Sequence, residues 1–376
     1  MPSPAALQSG PPLLNFESED GSWLTVAPED AARSGFDVVP LRHSDLCNHL
    51  LNPDEPVSFQ INNCKAVGGN VPLEDGSVTV RSAIKFRFGC GPVGLVLNGW
   101  VPFPLADRRV ILADRNVVNA ITRSQAARSR QEDRWVDSIP KGTEVSPLLH
   151  VLEGSKTQQQ SFDQVLGELE QAILQLAHAR PDLRVTPMTS AHISGLMGLW
   201  QDLREAYPRN LPFLREVWFR LSQPMNHRQR LDAENFVLDA ASRAGISRSS
   251  LVVVAALSCI HSNSQTTNIE NRIRRPGWAV LKPRRSFLER YAYNALMDIF
   301  HLEILLRAAA MLGEGEAVLY TCDVGLAAFW AALAPSAPRS LNDRELVAQS
   351  NDLSALYPAL SGREIDGLIA RLGCKA

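Results

Sequence analysis

Two segments far apart in the chain each run a mostly apolar stretch into an aspartate. They are Val110-Ile-Leu-Ala-Asp114-Arg-Asn-Val-Val118 and Ala317-Val-Leu-Tyr-Thr-Cys-Asp323-Val-Gly-Leu326. Each reads as a buried strand that ends on a carboxylate and turns into a helix, the pattern of an α/β fold. Strand C-termini on one edge of a parallel sheet converge, so Asp114 and Asp323 are expected to approach each other there. Carboxylates gathered at such an edge repel unless a cation lies between them, and oxygen donors suit a hard divalent metal.

Composition narrows the classes. The 376 residues leave room for two domains, or one large domain with an appendage. A hydrophobic content of 45% and a charged content of 21% describe a soluble globular chain. A net charge of −2 gives no global pull towards nucleic acid, so any such binding needs a local basic patch. The six cysteines are scattered without a CxxC pair, as expected of reduced thiols in the cytoplasm. The first residues, MPSPAALQSGPPLL, lack the basic region of a secretory signal. The apolar run Leu251–Ile260 is about half of a membrane span, so no membrane association is expected. No histidine pair follows HxxxH or HExxH, which disfavours a zinc hydrolase.

Texture along the chain divides it into four parts. Residues 1–35 are rich in Pro, Gly and Ser and are expected to be flexible. Residues 36–105 read as a β-rich module, or as extra strands on the main sheet, with runs at Val78–Phe88 and Val93–Leu97. Gly89-Cys-Gly91-Pro-Val-Gly94 matches G-x-G-x-x-G only formally, because Pro92 interrupts it and a strand follows where a helix should begin. Residues 106–334 form the α/β unit, with a helical insertion at about 158–270. A helix is expected from Asp114 to about Gln131, and a short one ends at Glu153-Gly154. Ser161-Phe-Asp-Gln164 is a capping box for a helix to about Ala179. Further helices are expected at 190–207, 212–222, 227–244, 249–262 and 287–312. Residues 335–376 read as a linker with short helices near 340–349 and 362–372.

The helix at 287–312 places Asn294, Asp298 and His301 at i, i+4 and i+7 on one stripe among apolar neighbours. A carboxylate in such surroundings needs a partner, a metal or water. The run preceding it carries Arg272, Arg274, Arg275, Lys282, Arg284, Arg285 and Arg290, with Trp278 among them. It could grip a phosphate backbone and stack a base, or equally be a solvated loop. Arg128, Arg130 and Arg134 read as the exposed face of the helix after Asp114.

In this order the motifs resemble the PIN-domain nuclease family. Asp114-Arg-Asn116 matches its opening strand and Asp-x-Asn. Ser146-Pro-Leu-Leu-His-Val-Leu-Glu153-Gly154 is similar to its second acid on a short helix before glycine. Asn294-Ala-Leu-Met-Asp298-Ile-Phe-His301 looks like its third, and Tyr320-Thr-Cys-Asp323-Val-Gly-Leu326 like its fourth. The stretch from Glu153 to Asp298 is far longer than usual for the family, which leaves Glu234, in Leu231-Asp-Ala-Glu234-Asn-Phe-Val, as a rival second acid.

The resemblance implies a three-layer α/β/α PIN-like domain with a central, mostly parallel sheet. It also implies a metal-dependent endoribonuclease in which Asp114, Glu153, Asp298 and Asp323 hold Mg²⁺ or Mn²⁺ and hydrolyse RNA phosphodiester bonds. Asn116, Asn294 and His301 would support them. Transfer or messenger RNA is the expected partner, with a homodimer and an antitoxin or other regulatory protein left open. Two other readings remain: a non-catalytic nucleic-acid-binding or regulatory protein on the same fold, and a helical scaffold. A haloacid-dehalogenase-type phosphatase is disfavoured, since it needs an aspartate where Asn116 stands.

Overall fold

The computed structural model describes residues 13–17, 21–29, 36–70, 77–84, 91–103, 105, 110–123, 131–154, 159–262, 273–313, 315–336 and 353–373. The helix expected near 340–349, together with Arg128, Arg130 and Arg272, lies outside them. So does the Arg134 side chain.

Two sheets organise the chain. The first is antiparallel and built from β1 (Leu14–Glu17), β2 (Trp23–Pro28), β3 (Asp37–Val38), β4 (Val57–Gly69) and β5 (Ser77–Ile84). Its order is β1-β2-β4-β3, with β5 also paired to β4. This corrects the expectation of a flexible stretch through residue 35. Residues of β1 alternate between more and less buried positions, whereas β2 grows more buried along its length, and Val26 reaches the core. A helix, α1 (His43–Leu51), was not expected in the β-rich module.

The second sheet contains β6 (Val93–Val96), β7 (Gly99–Pro102), β8 (Val110–Ala113), β9 (Glu144–Ser146), β10 (Arg184–Val185) and β11 (Ala317–Thr321). Its order is β10-β9-β8-β11-β6-β7. Strands β10, β9, β8 and β11 run parallel in turn, while β11–β6 and β6–β7 are antiparallel. The sheet is therefore mixed, and the expected module boundary at 105 dissolves because the β6–β7 hairpin belongs here. Asn98, at φ 65°, and Gly99 make its tight turn.

Between β9 and β8, and on to β11, residues alternate strictly between the two faces. Leu112, Ala317 and Leu319 join one core; Ile111, Ala113, Val318 and Tyr320 join the other. The second core takes Val117 and Val118 from α2 (Arg115–Thr122) together with Phe59 and Ile61 of the first sheet. Helix α2 ends at Thr122, well short of the expected Gln131, and a 3-10 helix follows at Gln131–Ser138.

The first core is helical. It contains α3 (Leu148–Glu153), α4 (Phe162–Ala179), α5 (Ser190–Leu221), α6 (His227–Arg243), α7 (Leu251–Ile260), α8 (Pro276–Leu281), α9 (Glu289–Leu312), α10 (Val324–Leu333) and α11 (Gly362–Leu372). Helix α4 has the expected capping box, with the Ser161 hydroxyl accepting from the Gln164 N–H. Helix α5 is one element where two were expected, because Pro208 and Pro212 lie inside it. Proline removes an N–H from the helix and normally interrupts it. Here Leu211, Phe213, Leu214, Val217 and Trp218 are buried around the prolines and hold the helix to its partners. The helical insertion is thus continuous with the main core rather than an appendage. Among the described residues, no helix is long and apolar enough to cross a membrane.

Candidate active site: four carboxylates and a lysine

The site grows from the β8–β11 pairing. Tyr320 lies opposite Ala113 in register, and the Asp114 N–H donates to the Tyr320 carbonyl at 3.2 Å. Asp114 and Asp323 therefore leave the sheet at the same edge, as the sequence predicts. Each caps the helix it opens. The Asp114 carboxylate accepts from the Val117 N–H at 2.8 Å. Asp323 Oδ1 accepts from Gly325 and Leu326 at 2.7 and 3.1 Å. Thr321 links them: its hydroxyl accepts from the Asp323 N–H and hydrogen-bonds the Asp114 carboxylate.

Glu153 arrives at the end of α3, where Gly154 takes φ 67° and turns the chain away. Arg115, the residue after Asp114, donates to the Gly154 carbonyl and lies 3.9 Å from Glu153. The Tyr293 hydroxyl on α9 donates to the Glu153 carbonyl at 2.8 Å, tying α3 to α9. Five residues further along α9 is Asp298. Its side chain is 23% exposed, among Ala295, Leu296, Met297 and Ile299, which are all buried.

Lys282 completes the group. Its Nζ stands 2.7 Å from Asp323 Oδ2 and 3.6 Å from Asp298 Oδ2. The lysine caps the C-terminus of α8 in the left-handed conformation, at φ 50° and ψ 47°. Two glycines seat α8. A Cβ on Gly277 would collide with the Ala255 carbonyl of α7, and one on Gly325 would collide with the Ala279 carbonyl of α8. Only glycine permits backbones this close.

The charges act on one another. Burial pushes the Asp298 carboxyl up to about 8; Lys282 opposes this, while Asp323, Glu153 and Asp114 add to it. Burial raises Glu153 to about 7, opposed by Arg115 and Lys282 and reinforced by Asp114. Burial also raises Asp114 to about 6, against hydrogen bonds from Thr321, Val117 and Cys322 and with the help of Asp323. For Lys282, burial disfavours the ammonium, yet Asp298 and Asp323 together hold its pKa above the ordinary value. Four acids face two cations, Lys282 and Arg115, so negative groups outnumber positive ones, a condition that a further cation would relieve. Carboxylate oxygens are the donor type a hard divalent ion takes. Among the described residues, however, no three His, Cys, Asp or Glu side chains stand together in metal-holding geometry. The Lys282 ammonium lies between two of the four acids.

The other candidates separate. Glu234 is buried on α6, bonded to His261 Nε2 at 2.8 Å and to Arg371 of α11. It serves as a joint for the C-terminal helix, and the charges acting on Asp298 do not include it. Asn294 is exposed on α9. His301 is buried, donates to the Leu149 carbonyl and is held neutral by burial, with its pKa lowered to about 4. It braces α3 against α9.

Asn116 is exposed and lines a cleft of about 460 Å³ with Trp278, Lys282, Arg284, Cys322 and Asp323. The basic run behaves less uniformly than its sequence suggests. Lys282 turns to the acids, Arg275 lies over the Trp278 ring at 5.1 Å, and Arg284 stacks on Tyr291 at 3.9 Å. Arg274 and Arg285 are exposed.

Sequence reasoning missed Lys282 as a partner of the acids, as well as Arg115 and Thr321. Arg115 and Thr321 carried a usable signal, since each lies within two residues of a candidate aspartate. No protein-family model, characterised protein or solved structure matches this chain.

Proposed function

We propose that this protein is a cytoplasmic, metal-dependent endoribonuclease with a PIN-like α/β/α core. The observation that carries the reading is the mutual electrostatic action of Asp114, Glu153, Asp298 and Asp323 at one sheet edge. Clustered, strongly raised carboxyl pKa values are more common at functional sites than elsewhere. A bound Mg²⁺ or Mn²⁺ would supply an activated water and neutralise charge developing on the phosphate.

The chain's own residues would do the rest. Asp114, fixed by the Val117 N–H and Thr321, gives a rigid anchoring carboxylate. Glu153, with a pKa of about 7, is poised to take a proton from water attacking the phosphorus at neutral pH. Arg284 and Trp278 line the cleft beside Asp323, where a phosphate and a base of single-stranded RNA could lie. Transfer or messenger RNA is the proposed substrate; a homodimer and a regulatory protein partner belong to the same proposal.

The test is cleavage of a labelled RNA with Mg²⁺ or Mn²⁺, with and without chelator. Asp114→Asn is expected to lower the rate on the order of 10³-fold, the scale of several kcal/mol of transition-state stabilisation. Undiminished cleavage by that variant contradicts the assigned site.

One observation favours a second reading, a non-catalytic nucleic-acid-binding protein: Lys282 already pairs with Asp298 and Asp323. Saturable RNA binding that is indifferent to chelator, without any cleavage, would select it.

A further inference from the structure

We propose that Arg284 and Arg290, gathered on Tyr291, form a clamp for a phosphodiester of single-stranded RNA beside the cleft. The clamp deepens the nuclease reading and rests on it for the kind of ligand, but it requires no metal ion.

Two guanidinium groups share one phenol. Arg284 lies over the Tyr291 ring at 3.9 Å, and its Nη1 donates to the hydroxyl oxygen at 2.9 Å. Arg290 lies over the same ring at 4.9 Å, and its Nη2 donates to the same oxygen at 3.3 Å. These two donors occupy the oxygen's lone pairs, which leaves the phenol hydrogen for another acceptor. Each guanidinium carries five N–H donors, so most of its capacity is unused as well. Like charges held this close repel, and an anion between them turns that repulsion into attraction. The protein supplies no such anion: among the described residues, no carboxylate forms an ion pair with Arg284, Arg285 or Arg290. Glu289, the one acid from 282 to 291, pairs instead with Arg215 of α5 at 3.5 Å. Lys282 is taken by Asp298 and Asp323. Against a net charge of −2 for the whole chain, this is a local excess of positive charge.

The surroundings favour a single strand as the anion. Arg284 also lines the cleft of about 460 Å³ with Trp278 and Asn116, so clamp and cleft share a residue. A cleft of that size suits a small ligand, room for one nucleotide and too little for a duplex. A strand with one nucleotide in the cleft therefore brings a neighbouring phosphate to Arg284 and Arg290. The planar fork of arginine matches phosphate oxygens two at a time.

Fluorescence anisotropy of a labelled single-stranded RNA, read in chelator so that metal-dependent cleavage is off, tests the clamp. Arg284→Ala and Arg290→Ala should each weaken binding about tenfold and lower the slope of log affinity against log salt by roughly 0.7. Arg290→Lys, which keeps the charge but loses the fork, should recover only part of that affinity. Arg285→Ala removes a neighbouring charge outside the clamp and should change affinity by about twofold at most. All three arginines are exposed, so the variants should unfold at the wild-type temperature. Equal losses in Arg285→Ala and Arg290→Ala would show a diffuse basic surface and overturn the clamp. So would full affinity in Arg290→Ala, no RNA binding by wild type, or equal binding of duplex RNA or of a phosphoserine peptide. Cleavage with Mg²⁺ or Mn²⁺ is scored separately. If the variants show the predicted losses but wild type never cleaves, the clamp stands and the nuclease reading falls. If wild type cleaves but the losses are absent, the clamp alone falls.

Discussion

Burial and neighbouring carboxylates both act on Asp298, and its behaviour with pH follows from these surroundings. Its carboxyl is raised to about 8 in the folded chain, against an ordinary value of 3.8. The folded state therefore holds a proton that the unfolded state has released between these two values. Stability from this group is complete below about pH 4 and is lost as pH rises towards 8. Glu153 and Asp114 act in the same direction over shorter windows, up to about 7 and about 6. His301 acts oppositely: lowered to about 4, it destabilises the fold below its ordinary 6.5 and stops doing so above it. Thermal unfolding without divalent ions should thus show an alkaline limb, with the midpoint falling as pH rises from about 4 towards 8, because three acids outweigh the single histidine where their windows overlap. Asp298→Asn should flatten the alkaline limb and raise the midpoint at pH 8 by roughly 2–4 °C. An unchanged alkaline limb would show that Asp298 titrates normally. Glu234 makes the contrasting case. Paired with His261 and Arg371 in the interior, it should cost about 3–5 kcal/mol in urea unfolding when replaced by Gln, yet leave Mn²⁺ binding intact. Loss of Mn²⁺ binding by a folded Glu234→Gln chain would return Glu234 to the candidate acids.

At the scale of elements, α8 is the piece that local sequence reading could not supply. Its six residues are too few to show a helical period, and its buried neighbours come from α7 and α10. The sequence therefore displayed a basic run, while the fold turned one member of it, Lys282, towards the acids. Strand–aspartate elements were legible for the opposite reason. An apolar run, a capping carboxylate and a following helix are all encoded within ten residues, and β8, α2, β11 and α10 formed accordingly. The short helix before Gly154 and the capping box at Ser161 were legible in the same local way. What local signals misjudged were the prolines of α5, overridden by tertiary packing, and β1 and β2, whose pairing with β4 is long-range. The seating of α8 gives a prediction. Gly325→Ala would drive a methyl group into the Ala279 carbonyl and should destabilise the chain by about 1–3 kcal/mol in urea unfolding. Since Gly325 also receives the Asp323 cap, the same variant should disturb the Lys282–Asp323 contact. A neutral outcome would mean that α8 is loosely held.

For the molecule as a whole, the expected division into a β module, a nuclease unit and an inserted helical block gives way to shared cores. The β6–β7 hairpin joins the main sheet, and the Trp330 indole N–H of α10 donates to the Val96 carbonyl at 2.7 Å. Helices of the insertion lie in the same core as α9 and α10, which position Asp298 and Asp323. Composition and spacing could not reveal this, because merging depends on which faces meet. What the sequence did carry was the wager that acids separated by most of the chain's α/β unit act at one edge, and the charges there do influence one another. The most direct test of the central claim is a crystal structure grown with Mn²⁺, read by anomalous scattering. The account predicts a peak among the carboxylates of Asp114, Glu153, Asp298 and Asp323, with the Lys282 ammonium moved away from Asp298 and Asp323. No peak at saturating Mn²⁺, with Lys282 still bridging those two aspartates, would contradict it.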